Sequence, residues 1–234
     1  MKTYLYQSLI FMSLCSCSTD TPEVTAGAWE QNAARFAYKS GNSPANPANP
    51  YDSTGILVDA LLDDYHLLPE GKRSLAQVIE LTESLGTAHE EFQALLPDNY
   101  QAPEAGIVAQ ILDNPNPDFT VGTDYSAKGK EHLRSIALEL QILKLADAPY
   151  HDVLDYFIEI EGEILADNLS EQEKEALLIT ASALRYALYN DTKKPKRDRD
   201  WEWSTANVAA TSSGSIENIP DAILLCVVSK VYEP

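Results

Sequence analysis

Residues 170–189 read SEQEKEALLITASALRYALY, and this stretch decides the fold. Ser170 and Glu173 stand at capping-box spacing, where the hydroxyl accepts from the N–H three residues on and the glutamate reaches back to the serine. Behind that start signal Leu177, Leu178, Ala181, Leu184 and Leu188 recur at helical intervals, which predicts a long helix to about Tyr189.

Two further helices precede it. Lys128 to Ala146 carries Leu133, Ile136, Ala137, Leu140 and Leu143 on one stripe. Tyr150 to Asp167 carries Val153, Leu154, Phe157, Ile158, Glu161, Ile164 and Leu165. Only a few residues join the three, so they are expected to pack antiparallel. Farther upstream, Asp52-Ser53-Thr54 caps a helix that turns Ile56, Leu57, Ala60, Leu61 and Leu62 inward. Leu75, Val78, Ile79 and Leu85 mark another, ended by Gly86, and a short piece follows from His89 to Leu96. Pro103 stands where a first-turn proline starts a helix over Glu104 to Leu112. Asp113 to Tyr125 is an irregular connection.

The predicted fold is therefore all-α, a single irregular helical bundle preceded by a cleaved signal peptide and a Pro/Asn-rich tether. Residues 1–16 form the signal, 17–50 the linker, 51–203 the helical domain and 204–234 a small-residue and apolar tail. Within the linker, Asn42-Ser43-Pro44-Ala45-Asn46-Pro47-Ala48-Asn49-Pro50 sets a proline at every third position. Proline fixes φ and removes a donor, so this run cannot hold a helix and is expected to be an extended spacer. A short helix around Gly27 to Tyr38 would place Trp29, Ala33 and Phe36 roughly on one face. In the tail, Ile223 to Val228 is too short to span a bilayer, and its period does not separate helix from strand.

The first seventeen residues, MKTYLYQSLIFMSLCSC, combine one charge, Lys2, with a short apolar run and small residues, the pattern of an export signal. Leu14-Cys15-Ser16-Cys17 resembles a lipobox. That resemblance implies cleavage after Ser16, acylation of Cys17 and a lipid anchor in a bacterial envelope membrane. Ser18-Thr19-Asp20 puts an acidic residue near the anchor, which favours the outer membrane. Two or more acyl chains hold stably where one holds reversibly. With Cys15 and Cys17 so assigned, Cys226 is alone in the mature chain and no internal disulfide forms. It lies in an aliphatic run, where a small buried hydrophobe is the better reading than a reactive thiol.

The chain has 234 residues and a formal charge of −19, which loss of Lys2 with the signal brings to −20. Such a field repels polyphosphates and excludes nucleic acid as a partner.

Asn49-Pro50-Tyr51-Asp52-Ser53-Thr54-Gly55 resembles the N-P-Y-D-x-x-G segment of a group of small lipoproteins of Bacteroides-type bacteria. Leu177 to Tyr189 is similar to that group's later alanine- and tyrosine-bearing helix, and Trp203 to Ser215 to its small-residue tail. The likeness is motif-level, over Asn49 to about Thr211. The chain departs in its tail, where glycine is scarce and Ile223 to Val228 is more aliphatic. The resemblance implies location and a helical fold, and no activity. Read from the residues, Pro50 stiffens the approach, Asp52 caps, Tyr51 packs over the helix start and Gly55 permits close approach. A structural role is favoured over a binding motif.

Candidate chemistry is sparse. The four histidines are His66, His89, His132 and His151. A di-metal carboxylate site requires Glu-x-x-His on two helices, and the chain offers Asp63-x-x-His66 once. His151 and Asp155 share a face at i, i+4, but two groups do not make a site. Asp113-Asn114-Pro115-Asn116-Pro117-Asp118 lacks the glycine and glutamate of an EF-hand loop and is a Pro/Asn turn. There is no G-x-S-x-G, and the free cysteine is in an aliphatic run. Glu159 and Glu163 share a face, while Glu161 falls in the apolar stripe, where an edge position reaching solvent is favoured over burial. No catalytic residue, metal site or cofactor is assigned. The basic cluster Lys193, Lys194, Lys196, Arg197 and Arg199 beside Trp201 and Trp203 reads first as a solvated loop pairing with the acidic surface. Its weaker reading is a binding site for an anionic polymer, with Trp201, Trp203, Lys194 and Arg197 as candidates. The expectation is a membrane-anchored envelope lipoprotein, a helical module that binds an envelope protein or a glycan. An envelope enzyme or a metal-binding helical protein without a recognisable motif is the alternative.

Overall fold

Between Ala176 and Asp191 every residue is buried, so the helix that the capping box opens is surrounded on all sides. That helix is Glu171–Thr192, and around it the chain forms eight more α-helices, with no strand, among the described residues. A computed structural model describes residues 43–113, 125–193 and 205–232. In chain order the helices are α1 (Asp52–His66), α2 (Leu75–Gly86), α3 (Glu90–Gln93), α4 (Ala105–Asp113), α5 (Ala127–Leu145), α6 (Tyr150–Ala166), α7 (Glu171–Thr192), α8 (Thr205–Glu217) and α9 (Ile219–Val231).

Small residues make the central position of α7 workable. Ala176, Thr180, Ala181, Ser182, Ala183 and Ala187 keep it thin, and α1, α6, α8 and α9 pack against it. The closest approach is at Gly55 of α1, whose N–H donates to Ser182 Oγ at 3.1 Å. The buried hydroxyls of Thr180 and Ser182 on this helix are met internally. Thr180 Oγ1 bonds the Ala176 carbonyl and lies 2.8 Å from Ser215 Oγ on α8. The start of α7 is tied as its sequence implies, since Ser170 Oγ accepts from the Glu173 N–H. Glu173 does a second job there. Its carboxylate accepts from the Ser126 N–H at 2.6 Å, joining the starts of α7 and α5.

The main core runs from Leu57, Leu61 and Leu62 through Leu133, Ile136, Phe157 and Ile164 to Leu177, Leu184, Ile223 and Val227. A smaller cluster, with Tyr65, Val78, Ile79 and Val108, sets α2 and α4 against Leu225 and Val228 of α9.

Three expectations are corrected. In the segment expected to be a tail, 204–234, the described residues 205–232 are no appendage, because α8 and α9 complete the core. Asn218 caps α9 by accepting from the Asp221 N–H at 2.8 Å, and Pro220 sits in its first turn. The small side chains of α8 let the aliphatic run of α9 settle as a buried helix. The second correction concerns the spacer, whose last residues, Ser43–Pro50, fold onto the domain with Pro44, Asn46 and Asn49 buried. The third concerns Asp52, which is not a cap. Tyr51 holds the cap position without a side-chain bond, and Asp52 turns its carboxylate inward.

Smaller departures have simple causes. Ile158 and Leu165 lie at the margin of their stripe and are exposed. The helix expected from His89 is four residues long, and that after Pro103 starts at Ala105. Cys226 is fully buried, and burial pushes its thiol up to about 12, consistent with an inert core residue. No helix among the described residues is long and apolar enough to cross a membrane.

Candidate functional site

Two features of the surface and one of the interior carry chemistry. The interior feature is a polar cluster centred on Glu161 of α6 and Arg185 of α7, both wholly inaccessible to solvent. Arg185 donates from Nε and Nη2 to Glu161 Oε1 at 3.3 and 3.1 Å, and from Nη2 to Asp52 Oδ1 at 2.5 Å. Tyr186 donates to the other oxygen of Asp52 at 3.0 Å. From the chain before α1, Asn46 Nδ2 donates to Glu161 Oε2 at 2.5 Å and Asn49 Nδ2 to Oε1 at 2.9 Å.

Burial pushes the Glu161 carboxyl up from its ordinary range, against the pull of Arg185, Asn46 and Asn49. Burial likewise opposes the charge of Arg185, but Glu161 and Asp52 outweigh it and hold the guanidinium above its usual value. Arg185 Nη1 is buried without a hydrogen-bond partner. The expectation that Glu161 reaches solvent is thereby overturned. Its place in the apolar stripe is a core position, tolerated because two carboxamides and the Arg185 guanidinium donate to it. Arg185 was not singled out from the sequence. The signal was an arginine interrupting the otherwise uncharged stretch from Ala176 to Asn190. Glu161 and Arg185 lie out of contact with solvent, and through them and Asp52 the cluster ties α1, α6 and α7 together.

A second ion network lies at the far end of α1 and α7. Lys193 Nζ donates to Asp59 Oδ1 and Asp63 Oδ2, each at 2.7 Å, and Asn190 donates to both carboxylates. Of the basic cluster, Lys193 thus pairs with the protein's own acidic residues. Trp201, Trp203, Lys194 and Arg197 lie outside the described residues, as does Cys17.

The first surface feature is an open groove of about 520 Å³ between α5 and α6, where His132, Lys128, Glu131 and Ser135 face Glu163 and Asp167. Asp167 takes Lys128 Nζ at 2.7 Å on one oxygen and His132 Nε2 at 2.9 Å on the other. Lys128 first, and then His132, hold the Asp167 carboxyl down to about 2, so it is ionised at neutral pH. Both of its oxygens are occupied by cationic or ring nitrogens, and Ser135 Oγ lies 3.4 Å from Tyr156 Oη. The arrangement is an ion-paired groove wall. The remaining histidines are dispersed. His89 bonds Asp64 at 2.8 Å, His66 is exposed, and His151 meets Asp152 at 3.0 Å and not Asp155. Among the described residues no three His, Cys, Asp or Glu side chains converge to hold a metal.

The second surface feature is on the outward side of α5. Leu138, Ile142 and Leu145 are 60%, 47% and 88% exposed. Their i, i+4, i+7 spacing aligns them as one ridge about 10 Å long. Single exposed leucines need no explanation, but a contiguous apolar ridge is a feature of interaction surfaces.

Compared with protein-family models, with curated proteins and with solved structures, the chain matches none of them. A functional reading therefore rests on these residues.

Proposed function

We propose that this chain is a lipid-anchored protein of the bacterial envelope, held by Cys17, whose helical domain docks a protein partner on the outward face of α5. The observation that supports the docking reading is the ridge of Leu138, Ile142 and Leu145 beside the α5–α6 groove. An apolar ridge favours a protein over a glycan, because burying each such side chain contributes about 1.5–3 kcal/mol while offering no hydrogen bond to a sugar. The groove beside it supplies the polar rim found around apolar contact cores. The anchor is supported by the lipobox of residues 14–17, and the resemblance of Asn49–Gly55 to envelope lipoproteins accords with it.

Two experiments test the reading. In cells fed a clickable fatty acid, the full-length chain is expected to take up label and Cys17→Ala to lose it. Equal labelling of the two would remove the anchor. A photo-crosslinking residue at position 138, 142 or 145 is expected to trap one discrete protein, while the same residue at the exposed Glu171 traps none. Absence of an adduct from all three ridge positions would overturn the docking face.

A further inference from the structure

The run Pro44-Ala45-Asn46-Pro47-Ala48-Asn49-Pro50 repeats Pro-Ala-Asn with a period of three. That period is matched to one carboxylate. Asn46 takes Oε2 of Glu161, and Asn49, three residues on, takes Oε1 and also donates to the Leu178 carbonyl at 3.0 Å. The same two side chains fold the run on itself. Asn46 Oδ1 accepts from the Ala48 N–H, and Asn49 Oδ1 from the Tyr51 N–H. The Asn46 N–H in turn donates to Asp52 Oδ1 at 3.2 Å.

Set against these bonds, the run adds little apolar contact. Ser43, Ala45, Pro47, Ala48 and Pro50 are exposed, and Pro44 is the one apolar side chain of the run that is buried. A segment with few buried apolar contacts opens at lower free energy than the core around it. Here the attachment depends on a few hydrogen bonds, two of them to the buried Glu161 and the others to the Leu178 carbonyl and Asp52. The acceptor site, in contrast, is built into three helices through Glu161, Arg185 and Asp52, and it persists when the run leaves.

We propose that Ser43–Pro50 is a releasable clasp, a carboxamide-bearing strap hooked on Glu161 that opens while the helical core stays folded. Closed, the clasp fixes where the linker meets the domain, beside α6 and α7. Open, it adds eight residues to the linker, on the order of 25 Å of extended reach. For a domain tethered through Cys17 that difference sets how far from the membrane it works, a consequence that rests on the lipid-anchor reading. Opening of the clasp itself does not depend on it.

Hydrogen exchange of the full-length protein, read by mass spectrometry on peptides covering 43–52 and 176–191, tests the proposal. In the wild type, the amides of Asn46, Ala48, Asn49 and Tyr51 are expected to exchange at least tenfold faster than the α7 amides. The double variant Asn46→Ala/Asn49→Ala leaves the Glu161–Arg185 pair in place. It is expected to accelerate the clasp amides a further tenfold or more, with α7 changed less than twofold. Asn49→Gln, which keeps the carboxamide but displaces it by one methylene, is expected to fall between. If the clasp and α7 amides accelerate together, or if the clasp keeps its protection without the two asparagines, the proposal is overturned. Equal fatty-acid labelling of the full-length chain and Cys17→Ala would remove the tether consequence and leave the clasp standing.

Discussion

Glu161→Ala is expected to lower the stability of the domain by about 3–5 kcal/mol, the range for breaking a buried ion pair by removing one partner. Arg185 is wholly buried, and after the substitution its guanidinium retains Asp52 as its carboxylate partner. Asn46 and Asn49 lose the acceptors of their Nδ2 bonds to this side chain in the same step. For a domain of this size a change of about 3–5 kcal/mol corresponds to a Tm lowered by about 6–20 °C, which thermal unfolding followed by circular dichroism will read. Glu161→Gln keeps the shape and one acceptor oxygen, so its loss should be smaller than that of alanine. A Tm within 2 °C of wild type for the alanine variant would show that the cluster contributes nothing net to stability.

Gly214→Ala is the second large effect, and its cause is steric. A methyl at position 214 would stand 2.5 Å from the backbone carbon and oxygen of Asp221 and 2.6 Å from the Ala222 nitrogen. These atoms belong to the first turn of α9 and cannot rotate away, so the α8–α9 hairpin must spread. Overpacking typically costs about 1–3 kcal/mol, and contact with a backbone peptide group places this case at or above the upper end. Gly55→Ala belongs beside it, since its methyl would lie 2.1 Å from Tyr186 Cδ2 and 2.7 Å from the Ser182 carbonyl oxygen. Gly71→Ala, with nothing within 4 Å, is the control and is expected to leave the Tm nearly unchanged. Chemical unfolding of the three variants checks the order. Equal midpoints for Gly214→Ala and Gly71→Ala would refute the close approach of α8 and α9.

What was legible in the chain, and what was not, divides by the range of the cause. Ser170 before Glu173 and the leucine spacing behind them are local signals; α5 and α6 lie within a residue of where such signals put them, and α7 starts as expected but runs three residues past Tyr189. Gly55 as a point of close approach was also legible, because a glycine at a helix start is costly unless something must come near. The sheath around α7 was not. Its outer positions carry Ala, Thr and Ser, which fit a solvent-facing helix as well as one enclosed by thin neighbours. Only the arrival of α8 and α9 from the far end of the chain makes them interior. The same holds for Ile223 to Val228, an apolar run whose period is uninformative until α8 gives it a surface to lie on.

By itself the sequence determined the helical class, the boundaries of α5 and α6, the start of α7 and the inert character of Cys226, because capping, periodicity and aliphatic context act over a few residues. The tertiary structure alone decided the roles of Glu161, Arg185, Asp52, Asn46 and Asn49. Several partners in this cluster are separated by more than a hundred residues, as in the pairings of Asn46 with Glu161 and of Asp52 with Arg185. A charged group within an apolar stripe reads locally as an edge that reaches water. It becomes a core residue only where a folded chain brings a cation and several donors to it, since burial without them would cost several kcal/mol. Likewise Ser43–Pro50 reads as a spacer by its prolines, and it is the acceptor waiting on α6 that turns the end of that spacer into part of the domain.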